Sequence, residues 1–128
     1  MKKDLIIIFG NFNILHPGHL RLFRYAKSIK QELWIGLLGD KISKNNALIS
    51  EQDRLETLKV NSYVDKCFIV NESISDVILK HKPYAVLKGK EYENSINQEL
   101  EPLNSYGGKL IFGSGDVSFS SIDLLRKE

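Results

Sequence analysis

The amino-acid sequence predicts an α/β protein in which helices cover both faces of a five-stranded parallel sheet. Short apolar runs alternate along the chain with amphipathic stretches, which is the order that parallel strands with right-handed crossovers require. The apolar runs lack a strict polar–apolar alternation, as expected for strands buried on both faces. The 128 residues are enough for a single domain, 1–128, whose core needs neither a disulfide nor a metal.

Five apolar runs are the expected strands, each four to six residues long. Their positions are Leu5–Phe9, Leu33–Leu38, Cys67–Val70, Tyr84–Leu87 and Lys109–Phe112. Because all five are expected to be parallel, their carboxyl ends should meet at one edge of the sheet, where ligands bind in such folds.

The stretches between the strands are expected to be helices. Their predicted ranges are 17–30, about 50–61, 73–82, 94–105 and 120–127. Pro17 suits the first position of a helix, and Ser50 and Ser73 are N-cap residues with an acidic residue three positions on. Pro83 ends the third helix. Pro102 lies inside the fourth stretch and weakens it.

Composition excludes several classes of protein. The net charge of +2 gives no support for a nucleic-acid or membrane partner, which would need clustered positive charge. The longest apolar run is too short to cross a bilayer. The single cysteine, Cys67, has no internal disulfide partner, which favours a reducing cytoplasmic location.

The segment GNFNILHPGH, residues 10–19, follows the first strand and opens the first helix. Gly10 would let the backbone approach a ligand closely. The N-terminus of the helix would offer free N–H groups and a positive dipole to a phosphate. His16 and His19 are expected to face one small volume there, an arrangement suited to stabilising a phosphoryl transition state. Their spacing is poor for a metal site.

This segment resembles the signature of the cytidylyltransferase-like nucleotidyltransferase superfamily, with its glycine-x-phenylalanine and histidine-x-glycine-histidine elements. The resemblance continues through LLGDKISK, SEQDRLETLKVNSYVDKCFIV, KPYAVLKGKEYE and GGKLIFGSGDVSFSSIDLLR, and so covers nearly the whole chain. Within the superfamily, the sequence is similar to glycerol-3-phosphate cytidylyltransferases and to the adenylyltransferase domain of ADP-heptose synthases. The resemblance implies a Rossmann-like fold.

The resemblance also implies a reaction. A phosphate oxygen of a sugar or polyol phosphate would attack the α-phosphorus of CTP or ATP, and pyrophosphate would leave without a covalent enzyme intermediate. Mg²⁺ would enter with the triphosphate and have few protein ligands. The expected setting is a cytoplasmic homodimer active in surface glycan synthesis.

The residues that match the family's motifs fall into two groups. Catalytic roles are implied for His16, His19, Lys44 and Arg54. A nucleotide-binding role is implied for Gly10, Asn11, Phe12, Asn13, Gly18, Lys88, Gly89, Glu91, Ser120 and Ser121, with the two serines holding phosphates at the start of the closing helix. The alternatives are a solvated loop lysine for Lys88, simple helix capping for the serines, and for Arg54 a surface arginine that pairs with Glu51 or Glu56.

Four features depart from the family's pattern. Asn13 stands where sugar-phosphate enzymes carry aspartate, Glu91 replaces another aspartate, and Ile122 replaces a hydroxyl residue. The segment 40–54 is short and keeps few lysines. These departures leave two alternatives open: an adenylyltransferase of the nicotinate mononucleotide or pantetheine-phosphate type, and a nucleotide-binding module without turnover.

Overall fold

The computed structural model describes residues 1–43 and 48–113, together with the backbone of 119–121. The strands are β1 (Lys2–Gly10), β2 (Glu32–Leu38), β3 (Lys66–Val70), β4 (Pro83–Gly89), β5 (Lys109–Gly113) and β6 (Phe119–Ser121). The helices are α1 (Pro17–Ile29), α2 (Asp40–Ser43), α3 (Glu51–Lys59), α4 (Ile74–His81) and α5 (Leu100–Asn104), and Lys90–Tyr92 forms a 3₁₀ turn.

The six strands form one sheet in the order β3-β2-β1-β4-β5-β6. The first five are parallel, which confirms the predicted five-stranded parallel sheet, and β6 adds an antiparallel edge strand beside β5. The chain builds outward from β1 in both directions, so the strand order reverses between β1 and β4. In an open α/β sheet this reversal leaves a crevice at the carboxyl ends of those two strands.

Core side chains lie on both faces of the sheet, as predicted. Successive residues of a strand point to opposite faces, so Ile6 packs with Phe23 of α1 and Leu58 of α3. On the other face, Ile78 of α4 and Leu103 of α5 pack together against β4 and β5. In the part of the chain that the structure describes, no helix is long and apolar enough to cross a membrane.

The helix starts follow the sequence signals. Pro17 occupies the first position of α1. The Ser50 hydroxyl accepts a hydrogen bond from the Asp53 N–H at 3.3 Å, and the Ser73 hydroxyl accepts one from the Asp76 N–H at 3.1 Å. Each N-cap satisfies one backbone donor that the first turn leaves without a helical partner.

Two predicted helices need correction. In the predicted helix 94–105, only Leu100–Asn104 is helical, and Pro102 falls in its first turn, where the missing N–H costs no helical bond. The expectation that Ser120 and Ser121 begin a helix is wrong, because both pair with β5 in an antiparallel ladder. This pairing gives the backbone groups of the β5 edge a partner. Residues 122–127 of that predicted helix lie outside the described residues.

Candidate nucleotide site

A cavity of about 530 Å³ lies where the carboxyl ends of β1 and β4 meet. Its walls come from the β1–α1 loop, from α1 and from the segment after β4. The predicted residues that line it are Gly10, Asn11, Phe12, Asn13, His19, Lys88, Gly89 and Glu91. The structure therefore brings the glycine–histidine loop and the lysine–glycine loop together around one space, although they are about 70 residues apart in the sequence.

The two histidines cap the helix that they begin. His16 is the N-cap of α1, and its Nδ1 accepts a hydrogen bond from the Gly18 N–H at 3.1 Å. The His19 Nδ1 accepts one from the His16 N–H at 3.3 Å. The two rings stack with their centroids 3.8 Å apart. This is a reciprocal capping box in which imidazoles replace the usual hydroxyl and carboxylate.

These contacts determine which ring nitrogen carries the proton. A neutral imidazole whose Nδ1 accepts a hydrogen bond carries its proton on Nε2. Both rings can therefore donate an Nε2–H to a phosphate oxygen. Burial lowers the pKa of His19, and the adjacent His16 lowers it further, against the opposing effects of Glu91 and of a hydrogen bond to the Ile14 backbone. His19 is thus held in the neutral, donating form around pH 7.

The glycines of the site make room for neighbouring side chains. A Cβ on Gly10 would lie 2.9 Å from the Phe12 ring, and a Cβ on Gly18 would lie 2.8 Å from the His16 ring. A Cβ on Gly89 would overlap the Glu91 carboxylate. Phe12 itself has a positive φ of 50° and sets its ring edge-on to His19, with the centroids 5.3 Å apart. Phe12 is thus a buried residue with a strained backbone conformation that packs against His19.

Arg54 lies beneath the site and is buried. Its Nη1 donates to the backbone oxygens of Asn11 and Leu38, both at 2.8 Å. Its Nε donates to the Ile49 oxygen at 2.8 Å, and its Nη2 forms an ion pair with Asp40 at 2.8 Å. Arg54 is therefore not a surface arginine paired with a neighbouring glutamate. Its hydrogen bonds link the end of β1 to the end of β2 and to the segment that follows β2.

The asparagines of the β1–α1 loop also face the segment after β2. The Asn13 Oδ1 accepts a hydrogen bond from the Leu48 N–H at 2.8 Å. The Asn11 Oδ1 accepts one from the hydroxyl of Ser43, a buried residue. Asn13, although uncharged, therefore links the β1–α1 loop to the segment after β2.

Lys88 reaches the cavity floor from the end of β4. Its Nζ lies 2.7 Å from the Asn97 Oδ1 and forms an ion pair with Glu99 at 3.1 Å. The Tyr92 ring lies over the same ammonium group, 4.8 Å from it to the ring centroid. Lys88 is therefore a fixed part of the cavity rather than a solvated loop lysine.

Two groups of predicted residues do not line the cavity. His16 and Gly18 lie at the start of α1 and reach it through His19. Lys44, which was expected to contact the acceptor or the triphosphate, lies outside the described residues, as do the side chains of Ser120 and Ser121. Within 1–43 and 48–113, no group of three His, Cys, Asp or Glu side chains is placed to hold a metal ion.

Sequence reasoning missed the residues that hold the predicted ones in place. Asp40, Ser43, Asn97 and Glu99 were not singled out, because each has its partner far away in the sequence. Glu99 falls in a stretch read as an amphipathic helix, in which a glutamate is expected to face water. A polar residue that folding will bury carries no local signal of its own.

Two kinds of known protein are similar to this chain in sequence. Bifunctional protein HldE of Pelobacter propionicus is 29% identical over 116 residues, which are 84% of this chain and 23% of that protein. FAD synthase of Methanosarcina barkeri is 31% identical over 97 residues, 73% of this chain and 68% of that protein. The chain thus spans about a quarter of HldE and about two thirds of the FAD synthase.

The fold has a close structural counterpart. The lipopolysaccharide core biosynthesis protein from Thermoplasma volcanium superposes with a TM-score of 0.72 over 84% of this chain and 93% of that one, at 23% identity. Residues 7–108 match the family described as Cytidylyltransferase-like. That match begins in β1, includes the whole β1–α1 loop and continues beyond the Lys88 loop. The chain belongs to the cytidylyltransferase-like family of nucleotidyltransferases.

Proposed function

We propose that this protein transfers a nucleoside monophosphate from CTP or ATP to a sugar or polyol phosphate and releases pyrophosphate, in the synthesis of surface glycans. The acceptor's phosphate oxygen attacks the α-phosphorus as the bond to the leaving pyrophosphate breaks, so no enzyme-bound intermediate is needed. Catalysis then consists of positioning the two substrates and stabilising charge. Mg²⁺ bound to the triphosphate would neutralise part of its charge.

The stacked histidine pair, of which His19 lines the cavity, is the observation that carries this proposal. The rings present Nε2–H groups at the positive end of the α1 dipole, where the first-turn N–H groups are themselves already bonded to His16. Donors fixed in this way stabilise the charge that develops on a transferring phosphoryl group without reorganising during the reaction. Phe12 packs against His19, and the lack of a side chain at Gly10 and Gly18 leaves room for the Phe12 and His16 rings.

The similarity to HldE and to FAD synthase supports two different acceptor substrates. The likeness to HldE, an ADP-heptose synthase, supports a sugar phosphate. The likeness to FAD synthase favours a second candidate, the transfer of an adenylyl group to a flavin phosphate, because the matched region makes up more of that protein than of HldE. Both candidates use the same histidine pair and differ in what occupies the acceptor side of the cavity.

The first test is thermal unfolding with Mg²⁺ and each of ATP, CTP, GTP and UTP. A nucleotide at 100 times its dissociation constant adds ~2.7 kcal/mol of stability, a shift that is readily measured. Pyrophosphate release is then followed with the stabilising nucleotide and with sugar phosphates, glycerol 3-phosphate, nicotinate mononucleotide and flavin mononucleotide in turn. We expect release with a sugar or polyol phosphate.

Three results would change this conclusion. Release with flavin mononucleotide alone would establish the second candidate. Binding of a nucleotide without release for any acceptor would indicate a binding module without turnover. No stabilisation by any of the four nucleotides would overturn the proposed function itself.

A further inference from the structure

The mechanism above makes no use of Glu99, yet this carboxylate is buried in the cavity wall. Its side chain is 4% exposed, and it lines the cavity together with Lys88 and Tyr92. Burying a carboxylate is costly unless a partner compensates its charge. The only cation that the described residues bring to it is Lys88, so the two form one unit inside the site.

Lys88 is engaged by two side chains of the cavity wall. An ammonium group has three N–H donors. Three side-chain oxygens lie around the Lys88 Nζ: the Asn97 Oδ1 at 2.7 Å, the Glu99 Oε1 at 3.2 Å and the Glu99 Oε2 at 3.1 Å. A phosphate oxygen that approached this ammonium group would compete with these oxygens for its donors and would meet a charge already balanced by Glu99.

Asn97 is itself held in the orientation that faces Lys88. Its Nδ2 donates to the backbone oxygens of Tyr92 and Ser95, both at 3.0 Å, which leaves its Oδ1 turned toward the ammonium group. The segment after β4 is therefore closed around Lys88 by its own hydrogen bonds.

Helix capping does not explain Glu99. The residue is the N-cap of α5, but its side chain makes no capping hydrogen bond. A glutamate is also a poor N-cap compared with Ser, Thr, Asp or Asn. The carboxylate turns away from the helix and toward Lys88 instead, so its position serves the cavity.

We propose that Glu99 is a positioning residue that withholds Lys88 from the phosphates of the nucleotide. With Asn97, it fixes the ammonium group and cancels its charge, so that the β4 side of the cavity receives the uncharged nucleoside part while the histidine pair receives the phosphates. The proposal rests on the proposed function in requiring a bound nucleoside triphosphate. It adds that Lys88, in spite of its charge, contributes little to triphosphate affinity.

Calorimetric titration of Glu99→Gln tests this. Glutamine has nearly the same shape and keeps one oxygen, but it leaves Lys88 without a counter-charge. We expect the nucleoside triphosphate that stabilises the wild type to bind about threefold to tenfold more tightly, as one uncompensated charge about 10 Å from the triphosphate would produce. The matching nucleoside should bind within about twofold of wild type, because it carries no charge.

A second variant and a control complete the experiment. Lys88→Met/Glu99→Gln removes both charges, and we expect its triphosphate-to-nucleoside affinity ratio to stay within about twofold of wild type, since a withheld lysine adds nothing to that ratio. Glu101→Gln makes the same chemical change at an exposed position of α5 and should leave the ratio unchanged. The double variant also serves if Glu99→Gln alone does not fold.

Two results would overturn the proposal while leaving the proposed function intact. One is an unchanged or lowered ratio in Glu99→Gln, which is what a purely structural role predicts. The other is a loss of triphosphate affinity of tenfold or more in the double variant, which would make Lys88 a phosphate ligand. If the wild type binds none of the four nucleotides, the proposed function fails first and this proposal fails with it.

Discussion

His16 combines two roles that a single substitution can separate. Its Nδ1 caps α1, while its ring stacks on His19, which lines the cavity. Asparagine is a strong N-cap residue, so His16→Asn should keep the cap without presenting a donor where the imidazole Nε2 lies. We expect His16→Asn to unfold within about 0.5 kcal/mol of wild type while its turnover falls at least about 100-fold.

His16→Ala is the comparison that makes this informative. It lacks both functions, so it should lose about 1 kcal/mol of stability as well as turnover. Denaturant unfolding and pyrophosphate release are measured on both variants. An asparagine variant that retains wild-type turnover would show that the imidazole is a cap and no more.

At the scale of elements, Arg54 joins pieces of the chain that would otherwise meet only through loops. It lies on α3 and donates to the ends of β1 and β2, to the turn before α3 and to the start of α2. Three of these acceptors are backbone oxygens; without Arg54 the Asn11 and Ile49 oxygens would lose this donor, and the Leu38 oxygen would keep the Ser43 hydroxyl. The position of the β1–α1 loop, and so of the histidines, depends on this residue.

Arg54→Met should therefore destabilise the protein by about 3 kcal/mol or more, since it keeps the aliphatic bulk but removes four hydrogen bonds at a buried position. Arg24→Met is the matched control, because Arg24 is exposed on α1 and should change stability by less than about 0.5 kcal/mol. The free energy of unfolding is read from urea titration. Equal stability of the two variants would contradict this structural role of Arg54 and would favour the alternative that it binds substrate.

The positions of most strands and helices can be predicted from local sequence patterns, whereas the contacts between distant segments cannot. The five apolar strands and the Ser50 and Ser73 caps depend on residues within one or two turns of chain, so local pattern is enough to place them. The burial of Arg54 depends on Asn11, 43 residues away, and nothing near Arg54 indicates it. The edge strand β6 depends in the same way on β5, its partner, and so it was read as a helix.

The same distinction between local pattern and distant contact applies to the residues of the site. The histidines and the lysine–glycine loop were found because their residue types and spacing are distinctive. Glu99 was not found, because a glutamate in a polar stretch resembles any exposed glutamate until the fold brings Lys88 beside it. The histidines and Lys88 are visible in the sequence as candidates, and the side chains that hold them become visible only in the structure.

At the scale of the whole molecule, two histidines couple folding to pH. Burial lowers the pKa of His19, and so does its neighbour His16. Burial also lowers the pKa of His81, which packs against Trp34 and Phe68, and the nearby Lys2, Lys80 and Lys66 lower it further, with Glu72 opposing. Each ring therefore binds a proton less readily in the folded protein than in the unfolded chain.

The sign of the effect follows from linkage. As pH falls below the ordinary histidine value of 6.5, the unfolded chain takes up protons that the folded protein does not, so the free energy of unfolding decreases. Asp65 affects the free energy of unfolding in a different pH range. Although partial burial raises its pKa, the hydrogen bonds from Lys27 and from the Leu33 N–H lower it more, so its stabilising effect is lost only below the ordinary carboxyl value of 3.8. Between pH 7 and pH 5 the histidines should therefore dominate.

We expect the melting temperature of the wild type to fall steadily between pH 7 and pH 5, and the fall to be smaller in His19→Asn and in His81→Asn and smallest in the double variant. The two sites lie at opposite ends of the sheet and share no contact, so their effects should add. A saturating triphosphate should reduce the contribution of His19 alone, because its negative charge favours the protonated ring beside it. If nucleotide instead changes the contribution of His81 and leaves that of His19 unaltered, then the anion binds away from the histidine pair, and the site lies elsewhere on the molecule.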